Sequence, residues 1–253
     1  MTDLPPPPPP NMGPPPGYIA YGGGGAVPQS VQGIGGLSKA LVVLLIIMIP
    51  TQVLGVFSTL SINNKAGDLL DGTISTNEFE DATQANLSNL GGLLVLPVAV
   101  LTIIWMYRMA SNLRALGRRG ATWAPGWAIG GWFVPPCVLY VVPWLMFKEL
   151  WRGSDPEVSP GDPNWKSGPV SPLVTVWWVM YGLLPLVGIF TAAGVVTQFT
   201  AGDADVRDLA EQYDRFAAIN LVMGVIAIGT TAVYLMLVRQ LSARHMRATR
   251  ETA

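Results

Sequence analysis

Two short stretches hold most of the side chains in this sequence that could do chemistry. In Trp105-x-x-Arg108-x-x-x-Asn112-Leu113-x-x-Leu116-Gly117, helical spacing stacks an indole, a guanidinium and an amide on one face, with Gly117 placed to stop the helix. In Pro125-Gly126-Trp127-Ala128-x-Gly130-Gly131-Trp132-Phe133-Val134-Pro135, Gly126 and Gly130 form a small-xxx-small pair that permits close helix approach. With Glu149 and Trp151 these stretches define a candidate cluster: Arg108, Asn112, Trp127, Trp132, Pro135, Glu149 and Trp151. Its chemistry is recognition. Arg108 or Asn112 can bond the carbonyls of an irregular backbone segment, meet anionic lipid, or hold a ligand; a structural and a binding role both fit.

Acid–base, nucleophilic and metal chemistry are poorly supplied. His245 is the only histidine and lies in a basic C-terminal segment; Cys137 is the only cysteine. No His/Cys metal cluster, Ser-His-Asp triad or intrachain disulfide can be assembled from them. The expectation is a non-enzymatic protein with no catalytic residue, metal or cofactor. A net charge of -1 leaves no basic excess for a nucleic-acid partner.

The elements that must position the cluster are membrane helices. Half the residues are apolar and 12% are charged, too few charges to cover an aqueous surface. No Asp, Glu, Lys, Arg or His occurs between Lys39 and Lys65, Asp81 and Arg108, Arg119 and Lys148, Lys166 and Asp203, or Arg215 and Arg239. Each block is long enough to cross a hydrocarbon core of roughly 30 Å as a helix. Helices are expected over Leu37 to Ser61, Leu90 to Leu116, Val170 to Phe199 and Phe216 to Ala243, with kinks at Pro50, Pro97 and Pro185. Polar groups inside them, such as Gln52 and Asn220, fit helix packing better than substrate binding, and there is no charged proton path.

The fifth block, Ala121 to Phe147, is split by Pro135-Pro136 into pieces too short to span. If it enters and leaves on one side, twelve of the fifteen Lys and Arg fall inside; if it crosses, the split is seven to eight. The lysine and arginine bias of cytoplasmic loops therefore favours four spans around a re-entrant or interfacial hairpin, with both termini cytoplasmic and the acidic stretches 62–88 and 200–215 as external loops. All nine tryptophans then fall on the cytoplasmic side, as an interfacial belt or as a ligand pocket, the belt being the blander reading. The pattern of helix, acidic loop and arginine-ended helix over 37–119 recurs over 170–250, as parallel repeats would.

Residues 1–36, with Pro5 to Pro10, Pro14 to Pro16 and Gly22 to Gly25, cannot bury enough apolar surface to fold and read as a disordered tail, either a spacer or a polyproline ligand for a cytoplasmic protein. The expected organisation is the tail (1–36), two transmembrane helices with an acidic external loop (37–119), the re-entrant or interfacial segment and a cytoplasmic loop (120–169), two further transmembrane helices (170–245) and a basic tail (246–253).

Arg108 to Asn112, Pro125-Gly126-Trp127-Ala128-x-Gly130, Trp132-Phe133-Val134-Pro135, Pro143 and Glu149-Leu150-Trp151-Arg152-Gly153-Ser154 together resemble the membrane family catalogued as domain of unknown function 4328, common in actinobacteria, over positions 40 to 243. Pro136-Cys137 departs from the small or polar pair expected there. The resemblance implies a multi-helix domain in the cell membrane, often behind a Pro/Gly-rich cytoplasmic tail, and carries over no catalytic residue. Two functions follow as expectations. The first is a scaffold or adaptor that sits in the lipid bilayer and recruits a cytoplasmic partner through the tail. The second is a transporter or channel for a small or lipidic solute.

Overall fold

The computed structural model describes residues 30–85, 90–133, 140–183 and 205–251, and every regular element among them is helical. The three long ones are α1 (Gly35–Leu70), α3 (Leu90–Ala115) and α7 (Val206–Thr249). Each is apolar on nearly all sides over its central turns, as a helix facing lipid must be. Val43, Ile46, Leu54, Phe57, Leu93, Leu96, Val222 and Val225 are all exposed, a pattern that water would not tolerate and a bilayer requires. Length and composition qualify all three to cross a membrane. Helices α1 and α3 run unbroken through Pro50 and Pro97, which the lipid-facing setting accommodates.

Helices α1 and α7 are much longer than a bilayer needs. Their 36 and 44 residues correspond to about 54 and 66 Å. The acidic stretches expected as loops are therefore largely helical. Asp68 lies in α1, Asp208, Glu211 and Asp214 in α7, and Glu78, Glu80 and Asp81 in a short α2 (Thr76–Gln84). Two capping devices explain the change. Ser75 Oγ accepts from the Glu78 N–H at 3.3 Å to start α2, and Asp205 with Asp208 forms a reciprocal capping box that starts α7 ten residues before its apolar stretch. These extensions bury a second small core: Ile62, Ala66 and Leu69 of α1, Phe79 of α2 and Ala210 of α7.

α1 and α7 pack antiparallel along most of their length, and α3 lies against α1. Gly224 makes the close approach: a Cβ there would stand 2.7 Å from Val56 Cγ2. Between α3 and α7 come α4 (Trp127–Gly130), α5 (Val141–Gly153), a 3-10 turn (Trp165–Ser167), α6 (Pro172–Trp178) and one π turn (Val179–Leu183). Ser171 and Pro172 start α6 as N-cap and first-turn proline. The remainder of the expected third span, with Pro185, lies outside the described residues, as do the tail 1–29 and the Pro135-Pro136 break.

Within the described residues of the 121–147 stretch, α4 has four residues and α5, which begins there and runs on to Gly153, has thirteen. The Gly126/Gly130 pair does not mediate the close packing expected of it, for a Cβ at either would meet nothing within 4 Å. The tight glycines around α4 and α5 are Gly131, against the Trp127 carbonyl and Val142, and Gly153, against the Leu113 side chain and the Trp165 ring.

Candidate functional site

Gly117 ends α3 as its sequence position suggested, with φ +70° and the Arg118 N–H closing back on the Leu113 carbonyl. This fixes the last turns of α3, where Trp105 and Asn112 both face α7. The Trp105 indole donates to Ser242 Oγ at 3.1 Å, and Asn112 Nδ2 lies 3.1 Å from His245 Nε2. Asn112 is doubly bonded to a third segment: its Oδ1 accepts from the Gln32 N–H and its Nδ2 donates to the Gln32 carbonyl, both at 2.8 Å. Its amide thus satisfies both backbone groups of Gln32 at once. Arg108 adds a bond to the Gly33 carbonyl at 2.8 Å, and Glu251, just past α7, accepts from the N–H groups of Ile34 and Gly35. The free N–H groups at the start of α1 attract a carboxylate.

The result is a clamp. Arg108 and Asn112 of α3 and Glu251 after α7 grip residues 32–35 where they enter α1. The carbonyls that Arg108 and Asn112 bond belong not to the 121–147 stretch but to Gln32 and Gly33, ahead of α1.

His245 is not a tail residue but fully buried. Its Nδ1 lies 2.8 Å from Ser154 Oγ, also fully buried, so Asn112, His245 and Ser154 form one chain linking α3, α7 and the end of α5. Because Oδ1 of Asn112 accepts from Gln32, its Nδ2 must donate to Nε2, and a neutral ring then donates from Nδ1 to Ser154. His245 lies beyond the apolar run that ends at Arg239, and burial pulls its pKa down to about 4 against a weaker opposing pull from Glu251. A serine beside an imidazole is a nucleophile and base by type. As folded, the trio ties α3, α7 and the end of α5 together, and neither Ser154 nor His245 lines either cavity described below.

Arg118, counted in the sequence only as a topology marker, organises the loop after α5. It is buried, and it donates to the carbonyls of Gly153, Asp155, Val158 and Ser159 at 2.8–3.0 Å. Burial lowers its pKa, while Asp155 and Asp162 work the other way. A guanidinium is the side chain suited to this, with five donors in a fixed fork.

The other members of the candidate cluster go elsewhere. Glu149 accepts from the N–H groups of Thr122 and Trp123 at 3.0 and 3.1 Å, fixing the backbone ahead of α4 against α5, with Lys166 at 3.8 Å. Trp127 is exposed and meets Trp123 edge to face. Trp151 lies under Arg244, which donates to its carbonyl and pairs with Asp155. Among the described residues no hydrogen bond or ion pair joins Arg108 or Asn112 to Trp127, Trp132, Glu149 or Trp151, and Pro135 lies outside them.

Trp132 belongs to an aromatic cavity of about 430 Å³. Leu45 of α1, Thr102 of α3, Thr231 and Tyr234 of α7, and Trp177 and Tyr181 of the α6 region line it, together with Trp132, Phe133 and Tyr140 from between α4 and α5. Thr102 Oγ1 and Tyr234 OH share a hydrogen bond of 2.7 Å at its wall. Thr102 precedes Asn112 by ten residues, about 15 Å along α3, so Trp132 and Phe133 reach well in from the clamp. The tryptophans are thus not simply a belt. Trp105, Trp165 and Trp177 are buried core, and Trp132 and Trp177 line the cavity.

Long apolar helices facing outward, joined at one end by polar side chains, define a helical protein of the membrane type. The chain belongs to the family described as domain of unknown function (DUF4328), whose model matches residues 71–243, from the end of α1 into the last turns of α7. That match begins about one helix later than the resemblance read from the sequence. No curated protein and no solved structure matches the chain.

Proposed function

We propose that this protein is a non-enzymatic membrane adaptor: a helical anchor that holds the root of a Pro-rich tail at a fixed place, from which the tail recruits a water-soluble partner. The observation that carries this reading is the clamp of Arg108, Asn112 and Glu251 on residues 32–35. A mere spacer needs no fixed root, whereas a recruiting segment gains from one, because immobilising its base raises its effective concentration at one face. In this account the protein sits in the plasma membrane with both ends cytoplasmic. Four spans surround a re-entrant hairpin, the third running over 170–199, and the two helix pairs are parallel repeats. The arginine count and the inward reach of Trp132 and Phe133 support that arrangement.

Deleting residues 1–29 tests the reading, since it leaves the clamp whole. Crosslinking pull-down of the full chain should capture a soluble protein that the truncated chain does not; identical captures would overturn it. Orientation is tested with cysteines placed at Pro160 or Ala248 in a chain lacking Cys137, which should resist a membrane-impermeant thiol reagent added from outside.

The aromatic cavity favours a second reading, carriage of a lipidic or other largely apolar solute between α1, α3 and α7. Copurification of one such compound, lost on filling the cavity by Thr231→Trp, would promote it over the adaptor.

A further inference from the structure

The outward face of α7 changes character along its length. Val222, Val225, Met236, Gln240, Ala243 and Arg247 recur at helical spacing and are all exposed, as is Arg239 beside them. The apolar half matches acyl chains. The last turns form, with Trp151 of α5, an open groove of about 600 Å³ whose floor runs from Met236 to three arginines, Arg239, Arg244 and Arg247.

These arginines differ in their partners. Arg244 is fixed by the Trp151 carbonyl and Asp155, and its guanidinium lies 5.4 Å from the Trp151 ring centroid. Arg239 and Arg247 have no acidic partner among the described residues; Arg247 bonds only the Ala243 carbonyl of its own helix. Two uncompensated guanidiniums and one prearranged beside an indole suit anionic oxygen, which guanidiniums bind in forked pairs. The groove opens at one end onto the exposed Met236, and farther along the same face Val225 and Val222 are exposed too, so its anion comes with hydrocarbon attached.

We infer that this groove is a binding site for an anionic phospholipid of the leaflet at the clamped end of the bundle. The phosphate sits between Arg239 and Arg247, and the acyl chains run down the α7 face past Met236. It is separate from the clamp and from the aromatic cavity, which lie on the inward faces of α7 at His245 and Tyr234.

Native mass spectrometry of the full chain, taken from mixed phosphatidylglycerol and phosphatidylcholine micelles, tests this. The wild type should retain phosphatidylglycerol in preference. Arg239→Gln with Arg247→Gln should reduce that preference about thirty-fold, two surface arginines' share of attraction to an anionic lipid. The charge-matched pair Arg114→Gln with Arg119→Gln should leave it intact. Equal retention of both lipids by the wild type, or an unchanged preference in the Arg239/Arg247 variant, would overturn the inference. So would loss of the lipid to millimolar inorganic phosphate, which would mark a soluble-anion site. Should the double variant unfold, Arg239→Gln alone is read instead and should lower the preference about five-fold.

Discussion

Acidification should loosen this protein through one residue. His245 is fully buried between Asn112 and Ser154, and its Nε2 can accept from Asn112 only while the ring is neutral. Its folded pKa of about 4 lies below the ordinary 6.5, so between those values the unfolded chain binds more protons and stability falls as pH falls. The loss begins as pH drops through about 6.5 and is complete below about 4; by pH 5 it amounts to about 2 kcal/mol. For a chain of this size that is a fall in melting temperature of roughly 4–8 °C between pH 7 and pH 5. Thermal melts in detergent at both values, for the wild type and for His245→Gln, isolate the effect, because a glutamine amide can accept from Asn112 and donate to Ser154 without titrating. Every other group is common to both proteins and cancels in the difference. The reasoning fails if His245→Gln loses as much stability as the wild type over that interval.

Arg118→Ala removes the donor of four loop carbonyls and should cost about 2–4 kcal/mol in melting experiments, with Arg118→Lys recovering less than half because an ammonium cannot reach all four. Gly153→Ala drives a methyl into the Leu113 side chain and the Trp165 ring and should cost about 1–3 kcal/mol by the same measurement. Tyr234→Phe breaks only the bond to Thr102, and a hydrogen bond between membrane helices averages about 0.6 kcal/mol, so its melt should barely move.

What the sequence made legible is what the bilayer demands. The apolar cores of α1, α3 and α7 stand out because nothing else supplies some twenty uncharged residues in succession, and the stop at Gly117 follows from local backbone rules. The helical extensions were misread because acidic residues suggested loops, although Ser75-x-x-Glu78 and Asp205-x-x-Asp208 carried a visible helix-start signal. The clamp and the His245 network were illegible for a different reason. Their partners lie far apart in the chain, Gln32 with Asn112, Ile34 with Glu251 and Ser154 with His245. Spacing along one sequence says nothing about which helix ends meet. Arg118 shows the same limit, since a buried guanidinium wrapped by carbonyls and an inner-leaflet charge look identical as a letter in an arginine cluster.

The adaptor account rests on the tail being held at its root, and amide hydrogen exchange of the full chain in lipid nanodiscs measures that directly. The N–H groups of Gln32, Ile34 and Gly35 should be protected, and Asn112→Ala should speed exchange at Gln32 about ten-fold or more while α1 beyond Ser38 is unchanged. Exchange at these three amides as fast as in an unstructured chain, the same in the wild type and in Asn112→Ala, would contradict it.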